Sequence, residues 1–239
     1  MQINNNEKTN RVLNSVSDIL RVKARNSAPD SIVNLVRKIR RRKVLKAYAD
    51  AGVAFLHVPR TAGTSIASAL YGMQINHFPL REMTPLMRDL RILPHFAIVR
   101  NPWDRAVSAW NFVRRGGGQD NLVQVRSHHR YQVPAFRTFE HFVQDWLPGC
   151  DMDLVDGMFR PQMYFLADAD GQLSLDHLGR FEDLSATVRW LQGHVPELQK
   201  IPHMNAVDRA PYKLHYTPSS RDLIGHIYAQ DIEKFGYDF

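Results

Sequence analysis

The stretch FLHVPRTAGTSIASAL, residues 55–70, contains the pattern that decides the fold. An apolar run ends in Pro59-Arg60, small and hydroxyl-bearing residues follow, and a helical pattern begins near Ser65. A strand, a tight loop and a helix N-terminus in this order place several backbone N–H groups around an anion. Gly63 lets the backbone approach the anion closely. The sequence therefore predicts a phosphate-binding loop.

The predicted ligand groups of this loop are its backbone amides, its hydroxyls and one cation. The loop differs from a Walker A loop, which requires Gly-x4-Gly-Lys-Ser/Thr. With Gly63 as the second glycine, Val58 would occupy the first glycine position and Thr64 the lysine position. The predicted anion-binding set is Arg60, Thr61, Ala62, Gly63, Thr64 and Ser65.

A second motif follows the next apolar run, HFAIVR, residues 95–100. Nucleoside triphosphate hydrolases need Mg²⁺-binding carboxylates in this region, whereas this chain has Arg100. Ser108 lies eight residues further on, about two helical turns away. Arg100, through its guanidinium fork, and Ser108, through its hydroxyl, can therefore face one anion. Two separate anion positions favour a 3′,5′-bisphosphate nucleotide.

Buried-type strands alternate with helical segments along the chain. The apolar runs VAFLHV (53–58) and HFAIVR (95–100), and a short strand before GRFEDL (179–184), are separated by helical patterns. This order predicts an α/β fold with a mainly parallel sheet and helices on both faces. The predicted domain covers residues 51–239, preceded by a basic, partly helical extension, residues 1–50.

The net charge of +7 is concentrated in that extension. Residues 1–50 hold twelve Lys or Arg and four Asp or Glu, whereas residues 51–239 hold nineteen and twenty. Because the charges of residues 51–239 nearly balance, we expect no specific nucleic-acid partner for this domain. The basic helical segment 31–46 permits two interpretations: a solvated face, or a surface for an acidic polymer or an anionic membrane.

Cysteine content and hydropathy suggest where the protein resides. Cys150 is the single cysteine, which excludes an internal disulfide and a multi-cysteine metal site. No stretch approaches the roughly 20 apolar residues that span a bilayer, and the first ten residues lack the apolar core of a secretory signal. These features predict a cytoplasmic location. The basic helix could in addition attach the protein to the surface of a membrane.

FLHVPRTAGTS (55–65) and FAIVRNPWDRAVSAW (96–110) resemble the two cofactor motifs of sulfotransferases that use 3′-phosphoadenosine 5′-phosphosulfate (PAPS). The resemblance is strongest to the carbohydrate-type branch that includes heparan sulfate 2-O-sulfotransferase and its bacterial relatives. It extends from about residue 52 to the C-terminus. Further matches are PQMYFL (161–166), GRFEDL (179–184), IPHMN (201–205) and YAQDIEKFGYDF (228–239).

The resemblance implies a P-loop-like architecture and metal-free transfer of a sulfuryl group from PAPS to a hydroxyl, here on a carbohydrate acceptor. It implies that His77, between the two motifs, is the general base, with Glu82 as the alternative. It also implies that the loop after IPHMN closes over the nucleotide and that Arg209 approaches the 3′-phosphate, as Lys213 could. His128-His129 could touch an acidic sugar.

Arg60 departs from the family pattern, which usually has Lys at this position. The resemblance implies that the Lys contacts the bridging oxygen as sulfate leaves. Arg retains the positive charge, but its guanidinium does not release a proton near neutral pH. We therefore expect Arg60 to stabilise charge on the leaving phosphate without protonating it.

Two other classes of function compete with this interpretation. A nucleotide kinase could use the same strand–loop–helix scaffold, but the missing Walker A lysine and the position of Arg100 argue against it. A polyanion- or membrane-binding protein could use residues 31–46, and that function could coexist with sulfation. The segments 73–94 and 116–160, where we expect the acceptor to bind, contain no recognisable motif.

Overall fold

The structure is a computed structural model that describes residues 30–83, 93–118, 125, 127–198 and 210–239. The chain divides into two compact units, residues 1–43 and 44–239. The helices and strands, in chain order, are α1 (Asp30–Ala51), β1 (Ala54–Leu56), α2 (Gly63–Tyr71), α3 (Leu80–Met83), β2 (His95–Val99), α4 (Pro102–Arg114), α5 (Phe139–His141), α6 (Met163–Leu166), β3 (His177–Arg180), α7 (Ser185–His194), α8 (Pro218–Ile227) and α9 (Ala229–Phe235).

The three strands form one parallel sheet in the order β1-β2-β3. Phe55 pairs with Phe96 across the first ladder, and Ala97 pairs with Leu178 across the second. The prediction of a parallel sheet is therefore confirmed. Because the carboxyl ends of parallel strands lie at one edge, the loops that follow β1 and β2 meet there.

Both faces of the sheet are covered, as predicted. Side chains alternate between the faces along each strand, so Leu56 and Val99 join one buried cluster while Phe55 and Ile98 join another. The first cluster includes residues of α4, α6 and α9 and the segment 139–147. The second includes the last turns of α1 together with α2 and α7. The helices thus hold β1 and β2 rigidly from both sides.

Helix α4 carries the second motif and is fixed at its start. The side chain of Asn101 accepts hydrogen bonds from the amides of Trp103 and Asp104, and Pro102 occupies the first turn. Trp103 and Trp110 are buried and belong to the core. Since α4 begins immediately after Arg100, its cap also fixes where the strand ends.

The C-terminal region differs from the sequence prediction. The pattern PSSRDLIGHIYAQDIEKFGY (218–237) predicts a single helix with Ser219 or Ser220 as its cap, but two helices, α8 and α9, lie there. Thr217 is the cap, because its hydroxyl accepts the amide of Ser220 while the Ser220 side chain accepts the amide of Thr217. The reciprocal pair satisfies two backbone donors at once, which explains why the helix begins two or three residues earlier than expected.

Two further observations concern the predicted segments. The helical pattern from residue 80 is seen as α3, and its continuation over 84–92 lies outside the described residues. Within the described part of the chain, no helix is long and apolar enough to cross a membrane.

Candidate active site

The loop between β1 and α2 reverses direction through two left-handed residues. Arg60 and Ala62 have φ angles of 73° and 64°. The residue that caps α2 is Ala62, whose methyl group has no oxygen to accept a backbone hydrogen bond. The side chain of the cap therefore satisfies no amide of α2, although its carbonyl accepts the amide of Ser65 at 3.1 Å, and a helix N-terminus without a side-chain cap favours an anion.

The loop is compact because Gly63 and His57 are in direct contact. A Cβ at residue 63 would lie 1.9 Å from Cδ2 of His57 and 2.0 Å from its Nε2. His57 is itself buried, so its ring has little room to move. Gly63 is thus required by close packing, in addition to the backbone approach that the sequence suggested.

The hydroxyls of the loop have different surroundings. Thr61 is fully buried, and its hydroxyl donates to the carbonyl of Val58 at 2.9 Å. A hydroxyl has only one hydrogen to donate. Because Thr61 uses it in this bond, its side chain stabilises the loop and does not donate to an anion. Ser65 is buried at the start of α2, and Thr64 is half-buried.

Arg60 and Ser108 are brought together across the sheet edge. Nε and Nη2 of Arg60 lie 3.2 and 3.1 Å from the hydroxyl oxygen of Ser108. The guanidinium also lies over the ring of Phe112, 4.2 Å from its centre. The cation of the first motif and the hydroxyl of the second therefore belong to one cluster.

Arg100 is almost entirely buried at the end of β2. Its Nε and Nη2 donate to one oxygen of Asp104 at 2.8 and 2.7 Å, and its Nη1 donates to the carbonyl of Arg60 at 3.1 Å. The fork that we expected to face a phosphate is therefore engaged by Asp104. The bonds to Asp104 and to the carbonyl of Arg60 fix the orientation of the guanidinium.

Gln162 is a site component that the sequence did not reveal. Its side-chain oxygen accepts the amide of Arg100 at 2.9 Å, and its side-chain nitrogen donates to the carbonyl of Arg100 at 2.8 Å. Asp231 in turn accepts the amides of Gln162 and Met163 at 2.6 and 2.9 Å. Gln162 and Asp231 are completely buried. Both stand in stretches quoted for the family resemblance, the only signal that could have identified them.

Arg105 links the phosphate-binding loop to the segment that precedes Gln162. Its Nε donates to the carbonyl of Pro59 at 3.1 Å, and its Nη2 donates to the carbonyl of Arg160 at 2.8 Å. Burial lowers the pKa of Arg105, an effect that the charges of Tyr228 and Asp231 oppose. Burial raises the pKa of Asp231, an effect that Arg105 opposes. The pair compensates part of the cost of burying each charge.

His77 lies against the same loop. Its Nδ1 is 3.2 Å from the carbonyl oxygen of His57, and the two imidazole rings meet edge to face with centres 4.0 Å apart. Because a carbonyl only accepts, Nδ1 carries the proton and Nε2 has the free electron pair. This tautomer is the one that a base acting through Nε2 requires.

The pKa of His77 is lowered to about 4. The residue is reached by solvent, yet dense protein packing around the ring disfavours its charge, and Arg105 and Arg60 add repulsion. The bond to His57 opposes these effects. The value is below the neutral range that an ordinary histidine would show, so His77 is neutral throughout the physiological pH range.

The remaining candidates are not drawn into this cluster by any described contact. Glu82 is half-buried on α3, and His129 is exposed. Lys213 donates to the carbonyl of Phe239 at 2.9 Å. Arg209 lies outside the described residues. No group of three or more metal-binding side chains is found among the residues that the structure describes.

The comparison with protein families agrees with the two motifs. The model described as "Sulfotransferase family" matches residues 47–238, which covers β1, β2, β3 and every contact of the cluster. No curated protein and no solved structure matches the chain. Because the match spans most of the sequence and includes both anion-binding motifs, the chain belongs to the sulfotransferase family and is a sulfuryl-transferring enzyme.

Proposed function

We propose that the enzyme transfers a sulfuryl group from PAPS to a hydroxyl of a carbohydrate acceptor. The observation that carries this proposal is the meeting of the two motifs. Arg60 contacts Ser108, and Arg100 donates to the carbonyl of Arg60. Amides of a helix N-terminus and an arginine–serine pair thus lie within one cluster, which suits a nucleotide with two separate phosphates.

The residues fit the two ends of such a donor. The amides at the start of α2, which the side chain of Ala62 does not cap, suit the 5′-phosphosulfate end. Ser108 and Arg100, a hydroxyl and a buried cation, suit the 3′-phosphate. Arg60 lies between these groups and supplies positive charge where the leaving phosphate gains negative charge. Since these donors are all side chains or backbone amides, their binding of the nucleotide requires no metal.

His77 is the residue best placed to accept the proton of the acceptor hydroxyl. PAPS supplies an activated sulfuryl group, which forms a new bond to the acceptor oxygen as its bond to the 5′-phosphate breaks. Nε2 of His77 takes the hydroxyl proton, because the carbonyl of His57 holds the other proton on Nδ1. Arg60 stabilises the released phosphate and retains its own proton.

Calorimetric titration with 3′-phosphoadenosine 5′-phosphate (PAP) tests the donor assignment. We expect binding that EDTA does not change, and at least about a tenfold loss of affinity in Arg100→Ala, since hydrogen bonds to charged groups are worth roughly 1.5–3 kcal/mol. Arg189→Ala is the matched control, because Arg189 is exposed on α7. Failure of the folded wild-type enzyme to bind PAP would contradict the proposal.

The acceptor class requires a transfer assay. Radiolabelled PAPS is incubated with the enzyme and a panel of oligosaccharides, lipids and small phenols. We expect label to enter the oligosaccharides preferentially. Label found only in phenols or lipids would leave the donor assignment intact and overturn the carbohydrate assignment.

A further inference from the structure

One side of helix α1 exposes apolar and basic side chains together. Leu35 and Ile39 are each 57% exposed and lie about one helical turn apart. Lys38, Arg42 and Lys43 are exposed as well. At about 100° per residue, the five side chains fall within about 140° of the helix circumference. We call these five residues the α1 stripe.

The apolar pair in the α1 stripe is unusual for this chain. The other large apolar side chains that are exposed in the described part of the chain are Val133, Leu154 and Leu214, each in a different segment. A single exposed apolar residue is ordinary and needs no explanation. Two such residues on one helix face, with cations beside them, indicate a contact surface.

The charge around the α1 stripe has a single sign. Residues 31–43 contain six Lys or Arg and no Asp or Glu. Among the described residues, no ion pair involves any of the three cations of the stripe. Lys46 differs from them, because its ammonium pairs with Asp50 at 2.8 Å. The stripe therefore presents positive charge that no carboxylate of the described residues neutralises.

We propose that the α1 stripe binds the surface of a membrane that contains anionic lipids, with the helix parallel to that surface. The anionic headgroups attract the three cations. Leu35 and Ile39 enter the boundary between headgroups and acyl chains, where the apolar face of a surface helix lies about 5–10 Å deep. The long side chains of lysine and arginine keep their charges among the headgroups while their stems cover apolar surface.

The apolar pair favours a membrane over an acidic polymer as the partner. A polyanion attracts a basic surface through charge, and neither Leu35 nor Ile39 contributes to that attraction. At a membrane the same two side chains are removed from water, which adds to the attraction between the charges. This binding does not depend on sulfuryl transfer, so it adds a second function to the proposed one.

The partition of the full chain into lipid vesicles tests the inference. Vesicles of phosphatidylcholine are compared with vesicles that also contain phosphatidylserine, and sedimentation measures the bound fraction. Binding to polyphosphate, a polyanion without an apolar phase, is measured in parallel. Circular dichroism checks that each variant is folded.

Two double variants alter the α1 stripe, and two alter exposed residues elsewhere as matched controls. The charge variant and its control are Lys38→Ala with Arg42→Ala and Arg189→Ala with Lys234→Ala, and the apolar variant and its control are Leu35→Ser with Ile39→Ser and Leu154→Ser with Leu214→Ser.

We expect the wild type to bind only the vesicles with phosphatidylserine and to be released as the salt concentration rises. The charge variant should lower the partition coefficient about 30-fold, since each basic residue near an anionic surface contributes about 1 kcal/mol. The apolar variant should lower it at least about tenfold and leave polyphosphate affinity within a factor of about two. Both controls should partition as the wild type does.

Four results would count against the inference. A wild type that binds polyphosphate but no vesicle would assign the α1 stripe to an acidic polymer. Undiminished vesicle binding by the apolar variant would remove Leu35 and Ile39 from the contact. Equal losses in the charge variant and its control would attribute binding to net charge. A dimer in solution that only the apolar variant loses, without vesicle binding, would make the stripe an interface between two copies of the chain.

Discussion

The guanidinium of Arg60 contacts the hydroxyl oxygen of Ser108 through two nitrogens, at 3.2 and 3.1 Å. The two residues are 48 positions apart and belong to different motifs. Phe112 lies one turn further along α4 than Ser108, and the guanidinium of Arg60 packs on the face of its ring. The cation that the loop contributes is therefore positioned by the helix of the second motif. A substitution at either residue should consequently change the position of the other side chain.

We predict that Arg60→Ala lowers kcat by about 10²-fold or more, as for the loss of one donor that stabilises the transition state. Arg60→Lys should retain most of the activity, because a single ammonium can still reach the leaving phosphate. The effects of Arg60→Ala and Ser108→Ala on PAP affinity should be non-additive, since the residues are in contact. Sulfation kinetics and calorimetry on the two single variants and the double variant check this. Normal turnover by Arg60→Ala would contradict the role given to the loop.

His77→Ala should lower kcat about 10²–10⁴-fold, the usual contribution of a general base, while PAP affinity changes little. The control is His226→Ala, because His226 is exposed on α8. Full activity in the folded His77→Ala variant would transfer the role of base to Glu82 or to another histidine.

The pH dependence of kcat/KM provides an independent check on His77. Only the neutral imidazole accepts a proton, and desolvation of the ring by the surrounding protein, together with repulsion by Arg105 and Arg60, lowers the pKa of His77 to about 4. The active form therefore persists as the pH falls, and activity should be lost only as the pH approaches about 4. The kcat/KM for PAPS reports the ionisations of the free enzyme. We expect this quantity to be constant from about pH 6 to pH 8. A rise in activity centred near pH 6.5 would show that the imidazole has an ordinary pKa.

Gln162→Met should weaken PAP binding although Gln162 is not predicted to touch the nucleotide. The substitution removes both hydrogen bonds to the backbone of Arg100, and each buried group left unpaired costs about 1–3 kcal/mol. Arg100 should then lose its fixed orientation toward the 3′-phosphate. Affinity for PAP should fall more than affinity for adenosine 5′-monophosphate, which has no 3′-phosphate. Equal losses for the two nucleotides would indicate a general loss of stability, and the exposed Gln192→Met serves as the control.

Gly63→Ala should destabilise the fold by about 1–3 kcal/mol, a typical effect of overpacking. The new methyl group would overlap the buried ring of His57, at 1.9 Å from Cδ2. Adding His57→Ala should recover part of the loss, since it removes the overlapping ring. Gly193→Ala on α7 is the matched control, because no atom lies within 4 Å of its added Cβ. Urea unfolding measures all three variants, and equal midpoints for Gly63→Ala and Gly193→Ala would refute the packing argument.

The parallel α/β class and the loop between β1 and α2 could be predicted from the sequence alone, whereas the predicted pairing of Arg100 with Ser108 is not seen: Ser108 contacts Arg60, and Arg100 contacts Asp104. The class and the loop are local or periodic features. An apolar run followed by small residues and a helical pattern specifies a strand, a loop and a helix wherever it occurs.

The tertiary structure alone decided how these groups are held. Gln162 holds the backbone of Arg100 across 62 residues of chain, and Asp231 holds Gln162 across 69. A buried amide or carboxylate has no sequence pattern that distinguishes it from an exposed one. The bond from Thr61 to Val58, the engagement of Arg100 by Asp104 and the low pKa of His77 likewise depend on neighbours and burial. Hydrogen-bond partners and solvation are set by packing in three dimensions, whereas a sequence records only the order of the residues.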